Sequence, residues 1–383
     1  MKCLRIKDII ISDNQEKAPI GTNPYIEIGD IDVNNKTYQY KDKESVSGAK
    51  YALQDSIIVS TVRPTRGAIS IIKEQKVAVS NAFAIINVDK EKCNYKYLFY
   101  MINNRKFYDY LGVHSKGATY PTCSKDDVYN YEILLPSLNE QSKIVDIFDN
   151  VSNCITIKNK QIDYLNQLVK SQFVEMFGDP KFNDKCWEKS NMGDYMTVLT
   201  DFSSNGSYKT LDSTVKMYDE PNYAYMVRTT DLENNDYKNN AKYISEDAYN
   251  FLAKSKVYPK DIIMNKIGSA GKVYIMPDVG MPVSLGRNAF LFRYNEKINP
   301  TFIYYLLTSD YGINEISQYV RGAVTKTITK DDARHIKIIV PPIELQNKFA
   351  KFVEHVDKQK FKSEKQLEKL KELQESLVKE YFG

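Results

Sequence analysis

Residues 135–145 read LPSLNEQSKIV and residues 340–350 read VPPIELQNKFA. Laying Pro136 on Pro341 sets an offset of 205, and the same offset carries Gln141 to Gln346, Lys143 to Lys348 and Val151 to Val356. It runs on without a gap through Lys160/Lys365, Leu165/Leu370, Leu168/Leu373, Phe177/Phe382 and Gly178/Gly383. A helix tolerates no insertion, because each added residue rotates everything after it by about 100°. Working upstream, KGATYPTCSKDD (116–127) meets RGAVTKTITKDD (321–332), keeping Gly117/Gly322, Thr122/Thr327 and the Lys-Asp-Asp triplet. Further out the offset drifts: the NAF at Asn81 faces the NAF at Asn288, DSIIVS at Asp55 faces DIIMNK at Asp261, and PYIEIGD ending at Asp30 faces AYMVRTTD ending at Asp231. The chain is a tandem duplication whose period is far above the roughly 20–50 residues of solenoid repeats, so each copy is a domain plus a helix.

The repeated tail carries a helical pattern. Apolar residues fall at Leu138, Ile144, Phe148, Val151, Ile155, Ile162, Leu165, Val169 and Met176, with Lys158 in one weak slot. From Ile144 their spacing alternates four and three, a heptad seam. The second copy keeps Phe349, Val353, Val356, Leu367, Leu370, Leu377 and Tyr381 but places Lys360, Ser363 and Gln374 on the same face. Each helix runs for about 39 residues, about 58 Å, too long for one globular core. Proline at the start and glycine at the end suit helix termini. An amphipathic helix of this length needs a partner, and the only other one of that length is its duplicate. We expect the two to pair antiparallel, against the alternative that each packs only on its own domain.

The remainder, roughly 1–135 and 179–340, alternates β-rich stretches (SIIVSTV, AISIIKE, AFAIINV; DIIMNKI, KVYIMP, AFLFRY) with helical ones such as NYKYLFYMINNRKFYDYL. The expected fold class is α+β: globular domains at 1–135 and 179–340, joined by a central spacer helix (136–178) and a C-terminal one (341–383), with pseudo-two-fold symmetry.

Composition narrows the function. Five cysteines are scattered with no CxxC pair, and the three histidines lack metal-ligand spacing, so reduced thiols and no metal are expected. The start, MKCLRIKDIIISDNQEK, lacks a signal-peptide core, and no apolar run of about 20 residues could span a bilayer. A cytoplasmic protein without membrane contact is expected. Net charge is only +4, too mild to argue for or against nucleic acid.

Catalytic motifs are not recognised. TNPYIEIG (22–29) superficially resembles the Asn-Pro-Pro-Tyr loop of amino-methyltransferases, but the second proline is missing and no Gly-rich S-adenosylmethionine motif accompanies it. GSAGK (268–272) has glycines too closely spaced for a phosphate loop and Val273 where Ser or Thr would hold magnesium, so it reads as a hairpin turn. The repeated Lys-Asp-Asp reads as a cap for a short helix.

A β-rich domain closing with GATxPT (117–122), then LLPSLNEQSKIV, then a long helix ending FVEMFGDP (173–180) followed by Trp187 and GDY (193–195), the whole repeated, resembles the specificity subunit of Type I restriction-modification systems over essentially the entire chain. The most specific mark is Pro136, Leu138, Glu140 and Gln141. The second copy departs there, with Glu344 one place early and Leu345 where glutamate is expected. The resemblance implies a non-catalytic subunit of a multi-subunit enzyme. Its two target-recognition domains would each read one half of a bipartite, asymmetric double-stranded DNA target. The helices would dock two methyltransferase subunits that methylate adenine N6. It implies no cofactor in this chain: S-adenosylmethionine belongs to the methyltransferase partners, and ATP with magnesium to the restriction (motor) subunits.

Base readout needs Arg, Asn or Gln and phosphate contact needs Lys or Arg. The candidate DNA-binding residues are therefore Arg63, Arg66, Lys116, Thr119 and Tyr120 in the first domain. In the second they are Asn265, Lys266, Lys272, Arg321, Thr325 and Lys326, with Arg228 and Arg287 in loop-like contexts. The helix–helix seam is assigned to Ile144, Phe148, Val151, Ile155, Ile162, Leu165, Val169, Phe349, Val353, Val356, Leu367, Leu370 and Leu377. Two other classes compete: a coiled-coil scaffold that binds no DNA, and a self-contained methyltransferase or nuclease active as a single chain.

Overall fold

The computed structural model describes residues 2–11, 16–40 and 43–383; part of the N-terminal stretch read above for a signal peptide lies outside them. The chain divides into two compact units, Met1–Lys160 with Glu364–Gly383, and Gln161–Ser363. Both long helices, Leu138–Phe177 and Ile343–Phe382, are continuous over 40 residues each, and each contributes one half to each unit.

In the first unit the strand Ile57–Ser60, β-branched and buried on both faces, lies between Ile69–Ile71 and Phe83–Ile86 in an antiparallel sheet. A second sheet centres on Lys76–Val79, parallel to Tyr25–Ile26 and antiparallel to Lys50–Leu53. Lys2–Arg5 pairs with Glu132–Leu135 and returns the chain to the helix. The helices Tyr95–Ile102 and Arg105–His114 share a core with the first sheet, built on Ile57, Ile69, Ile86, Leu98, Ile102 and Phe107.

The second unit repeats this plan with additions. Ile262–Asn265 lies between Val273–Ile275 and Ala289–Tyr294, and Met196–Asp201 extends the sheet. Ala224–Val227 runs parallel to Val283–Leu285, as Tyr25–Ile26 does to Lys76–Val79. The weakest alignment at the sequence level is supported here by a shared detail: Asp30 accepts from the Glu27 N–H and Asp231 from the Arg228 N–H, both at 2.9 Å. GSAGK is the turn of the hairpin between Ile262–Asn265 and Val273–Ile275. The fold is α+β, as expected.

Within each unit the start of one long helix meets the end of the other, so the pairing is antiparallel. Phe148 stacks on Phe382 at 5.4 Å between centroids and Gln374 donates to Ser152 at 3.3 Å. In the second unit Phe349 meets Phe173 and Phe177 edge-on at 5.4 and 5.5 Å. The same phenylalanines also pack on their own domains, Phe382 on Tyr97 and Phe177 on Phe302. Of the seam residues, Phe148, Val151, Val169, Phe349, Val353 and Val356 are buried, and Ile144, Ile155, Ile162, Leu165, Leu367, Leu370 and Leu377 are half-buried. Among the polar members of that face, Ser363 is buried with its hydroxyl on the Gln359 carbonyl, and Lys360 and Gln374 are half-buried.

The repeated glutamine fastens each helix to its domain. Gln141 is fully buried; its Oε1 accepts from Asn94 N–H (2.8 Å) and its Nε2 donates to the Pro136 and Lys92 carbonyls (2.9 and 3.4 Å). Gln346 makes the same three bonds to Asn299, Pro341 and Lys297, at 2.8, 2.8 and 3.0 Å. The departure of the second copy also finds its reason. Glu140 accepts from the Ser137 N–H and hydroxyl, a capping box. Pro342 stands in place of Ser137 and has no N–H to satisfy, so Leu345 can replace the glutamate and pack against the second unit's core instead.

Candidate nucleic-acid interface

Each unit builds one exposed tip from two segments distant in sequence. In the first unit Lys116 and Thr122 exchange backbone hydrogen bonds at 2.9 Å, closing a hairpin. That hairpin docks on the turn 61–67 through Arg63 N–H to the Pro121 carbonyl (2.7 Å) and Cys123 N–H to the Thr61 carbonyl (2.9 Å). In the second unit Arg321 and Thr327 close the hairpin at 2.9 and 2.8 Å, docked by Gly268 N–H to Lys326 and Ile328 N–H to Lys266 at 3.0 and 3.1 Å. All four bonds recur at the offset of 205. Gly117 and Gly322 sit at φ +98 and +106, and a Cβ at Gly322 would collide with the Thr325 carbonyl, so the repeated glycine is required by the hairpin.

Side chains on this common frame differ. Arg63 holds a left-handed conformation (φ 48) where the second copy has Gly268 (φ 81). Its guanidinium donates to the Thr119 carbonyl at 3.0 Å and lies 4.2 Å over the Tyr120 ring, which is 65% exposed. Arg63 therefore works as a strut for the hairpin, while Arg66, Lys116, Thr119 and Tyr120 present themselves to solvent. On the second tip Lys272, Thr325 and Lys326 are exposed. Arg321 donates to Asp332 at 2.9 Å, yet its side chain stays 74% exposed.

Four other candidates lie elsewhere. Asn265 is 1% exposed, its Nδ2 donating to Glu233 and the Tyr274 hydroxyl at 3.1 and 3.3 Å, so it is part of the sheet interior. Lys266 turns inward to Asp201 at 2.8 Å. Arg228 forks onto Asp231 (3.1 and 2.6 Å) and reaches the Asn240 carbonyl. Arg287 pairs with Asp212 and lies 4.9 Å over Tyr208. The sequence gave no sign of these intramolecular partners, which come from 3 to 75 residues away.

The Lys-Asp-Asp triplets act as expected: Ser124 with Asp127 and Thr329 with Asp332 form capping boxes on Lys125–Tyr129 and Lys330–His335. Hydrogen bonds from those hydroxyls hold both aspartates below the usual carboxylate range. A cluster the sequence did not reveal lies beside the second tip. Asp201 accepts from Lys266, Lys330 and Ser204 at 2.8, 2.8 and 2.6 Å. Burial alone would raise its pKa, but these donors outweigh burial and hold it at about 2. Among the described residues no group of three or more His, Cys, Asp or Glu converges on a metal position, all five cysteines are free thiols, and no helix is long and apolar enough to cross a membrane.

Comparison with known proteins agrees with this architecture. The family profile described as the Type I restriction modification DNA specificity domain matches twice, over residues 4–167 and 184–374. The MjaVIII specificity subunit of a type I restriction enzyme from Methanocaldococcus jannaschii is 28% identical over 72% of this chain and 67% of its own length. The MjaIX specificity subunit of the same organism is 28% identical over 85% and 77%. The crystal structure of a Type-I restriction-modification S subunit from M. genitalium aligns over 100% of this chain and 96% of its own with a TM-score of 0.60 at 14% identity, a likeness of fold. A chain from a structural study of type I restriction-modification assembly and conformational transition aligns over 100% and 97% with a TM-score of 0.57 at 17% identity. With the profile covering most of the chain in two copies, the protein belongs to the Type I restriction-modification DNA specificity family, as a specificity subunit built from two such domains.

Proposed function

We propose that each unit applies its hairpin–turn tip to one half of a split double-stranded DNA target, and that the two halves differ in sequence. The observation that carries this reading is the tip itself: one backbone frame, held by the same hydrogen bonds at an offset of 205, bearing different side chains in the two copies. A repeated frame gives both tips the same approach to a groove, and changed side chains give them different bases to prefer. Arg66, Lys116, Thr119 and Tyr120 are the contacting residues of the first tip, and Lys272, Arg321, Thr325 and Lys326 those of the second. Asn265 is left out because its side chain is buried in the sheet, and Arg228 and Arg287 because their guanidiniums already pair with aspartates within the unit.

In the same reading, the exposed flanks of the paired helices dock two methyltransferase subunits, which carry S-adenosylmethionine and methylate adenine N6. Restriction subunits using ATP and magnesium complete the assembly in the cytoplasm, where the target DNA lies. The scaffold alternative is disfavoured by the cations gathered on both tips, and the single-chain enzyme by the want of a catalytic constellation among the described residues.

The test is methylome sequencing of a host carrying the methyltransferase partner, with this chain and with a hybrid whose residues 179–340 come from another family member. A split asymmetric N6-methyladenine motif that changes in one half only is the expected result. A hybrid that changes both halves, or a chain whose deletion leaves methylation intact, would refute the reading.

A further inference from the structure

The Asp201 cluster lies in a shallow cleft of about 600 Å³ at the base of the second tip, lined also by Thr327, Thr329, Asp331 and Arg334. One carboxylate, its side chain 9% exposed, holds two ammonium groups whose side chains are 16% and 31% exposed. Lys330 is fixed a second time by Ser204 Oγ at 2.8 Å. Arg334 is exposed on the next turn of the same short helix. The charged groups lining the cleft are three cations and two anions, and Asp331 is a solvent-facing carboxylate close to His335 (3.8 Å). Half-buried ammoniums shared by one carboxylate keep unspent hydrogen-bond donors at fixed positions, and the cleft carries an excess of positive charge, which suits a compact oxyanion.

The cleft also adjoins the tip directly. Ile267 bridges Thr327, and the Lys266 carbonyl accepts from Ile328 N–H, so the frame that sets the hairpin also sets the lysine. In the first unit the positions equivalent to Lys266 and Arg334 are Thr61 and Tyr129, and the Tyr129 hydroxyl is turned inward onto the Ile85 carbonyl at 3.0 Å. Lys330 is matched by Lys125, but without counterparts of Lys266 and Arg334 the trio of cations is confined, among the described residues, to the second copy.

We propose that Lys266, Lys330 and Arg334 form a subsite for one backbone phosphate of the duplex engaged by the second tip, with Asp201 as the positioning residue that aims the two lysines. The subsite rests on the DNA-reading role above and assigns to it an asymmetric, sequence-independent contact. It grips the backbone beside the second half-site and has no equivalent beside the first.

The experiment measures binding of the complete complex with its methyltransferase partner to duplex DNA by fluorescence anisotropy over a series of salt concentrations. A target duplex and a scrambled duplex are compared. Neutralising one phosphate contact contributes a slope of about 0.9 in log affinity against log salt. The double variant Lys330→Gln/Arg334→Gln is expected to lower the magnitude of the slope by about 1, to weaken target and scrambled duplex by the same factor, and to leave the methylated motif unchanged. Arg334→Gln, which leaves the Asp201 pairs intact, is expected to shift the slope in the same direction and guards against a folding defect. An unchanged slope in both variants, or a weakening confined to the target duplex, would overturn the subsite while the DNA-reading role stands. A wild-type complex that binds neither duplex would instead overturn that role and the subsite with it.

Discussion

Replacing Gln346 by Leu tests how the helices are fastened to the domains. The side chain is fully buried and makes three hydrogen bonds, so the substitution leaves the Asn299 N–H and the Lys297 and Pro341 carbonyls without their partner. Lys297 is exposed, so water reaches its carbonyl most readily, whereas the Pro341 carbonyl is buried and Asn299 is half-buried. Each of these two groups left unpaired costs about 1–3 kcal/mol. Leucine returns about 1–2 kcal/mol through burial of its extra apolar surface. The net loss is about 3 kcal/mol, which for a unit of this size lowers the melting temperature by about 6–12 °C. The chain supplies its own reporter: Trp187, its only tryptophan, lies in the second unit and donates through Nε1 to the Phe177 carbonyl at 2.8 Å, so its fluorescence follows the unit that Gln346 fastens. Thermal unfolding of the full chain followed at Trp187 is therefore the assay. A shift below about 2 °C, less than about 1 kcal/mol, would show that water replaces the glutamine and that the repeated residue is not a structural fastener.

Two further outcomes are expected. Asp201 has a folded pKa of about 2 against an ordinary value of 3.8, a depressed carboxylate; its contribution to stability is fully present well above pH 3.8 and is lost as pH falls towards 2. Asp201→Asn should therefore remove that part of the acid sensitivity, and urea midpoints of variant and wild type that fall in parallel between pH 5 and pH 2 would contradict it. Arg63→Gly copies the second unit's Gly268 and keeps the left-handed backbone while deleting the strut to Thr119 and the stack on Tyr120. On the proposed reading, methylome sequencing should show relaxed base preference in one half-site and none in the other; equal relaxation of both would refute it.

The duplication, the two long helices and the α+β class were legible in the sequence because each rests on a local regularity. The unbroken offset of 205 fixes the repeat, the four–three spacing fixes the helix, and β-branched runs such as SIIVS mark strands buried on both faces. Even the faintest alignment, PYIEIGD on AYMVRTTD, is supported by parallel pairing and by the equivalent caps at Asp30 and Asp231. The sequence could also place most of each tip, since KGATY and RGAVTK are near-copies that must make the same turn.

Only the tertiary structure decided which charges are free. Lys266 and Lys326 look alike as letters, but one is bound to a carboxylate 65 residues away and the other is exposed at the hairpin. Arg63, a candidate DNA contact by its sequence, is drawn onto the Thr119 carbonyl, because that carbonyl arrives from a segment 56 residues further on. A lysine or arginine is exposed or consumed according to what long-range folding brings within about 3 Å of it, and no local pattern encodes that distance.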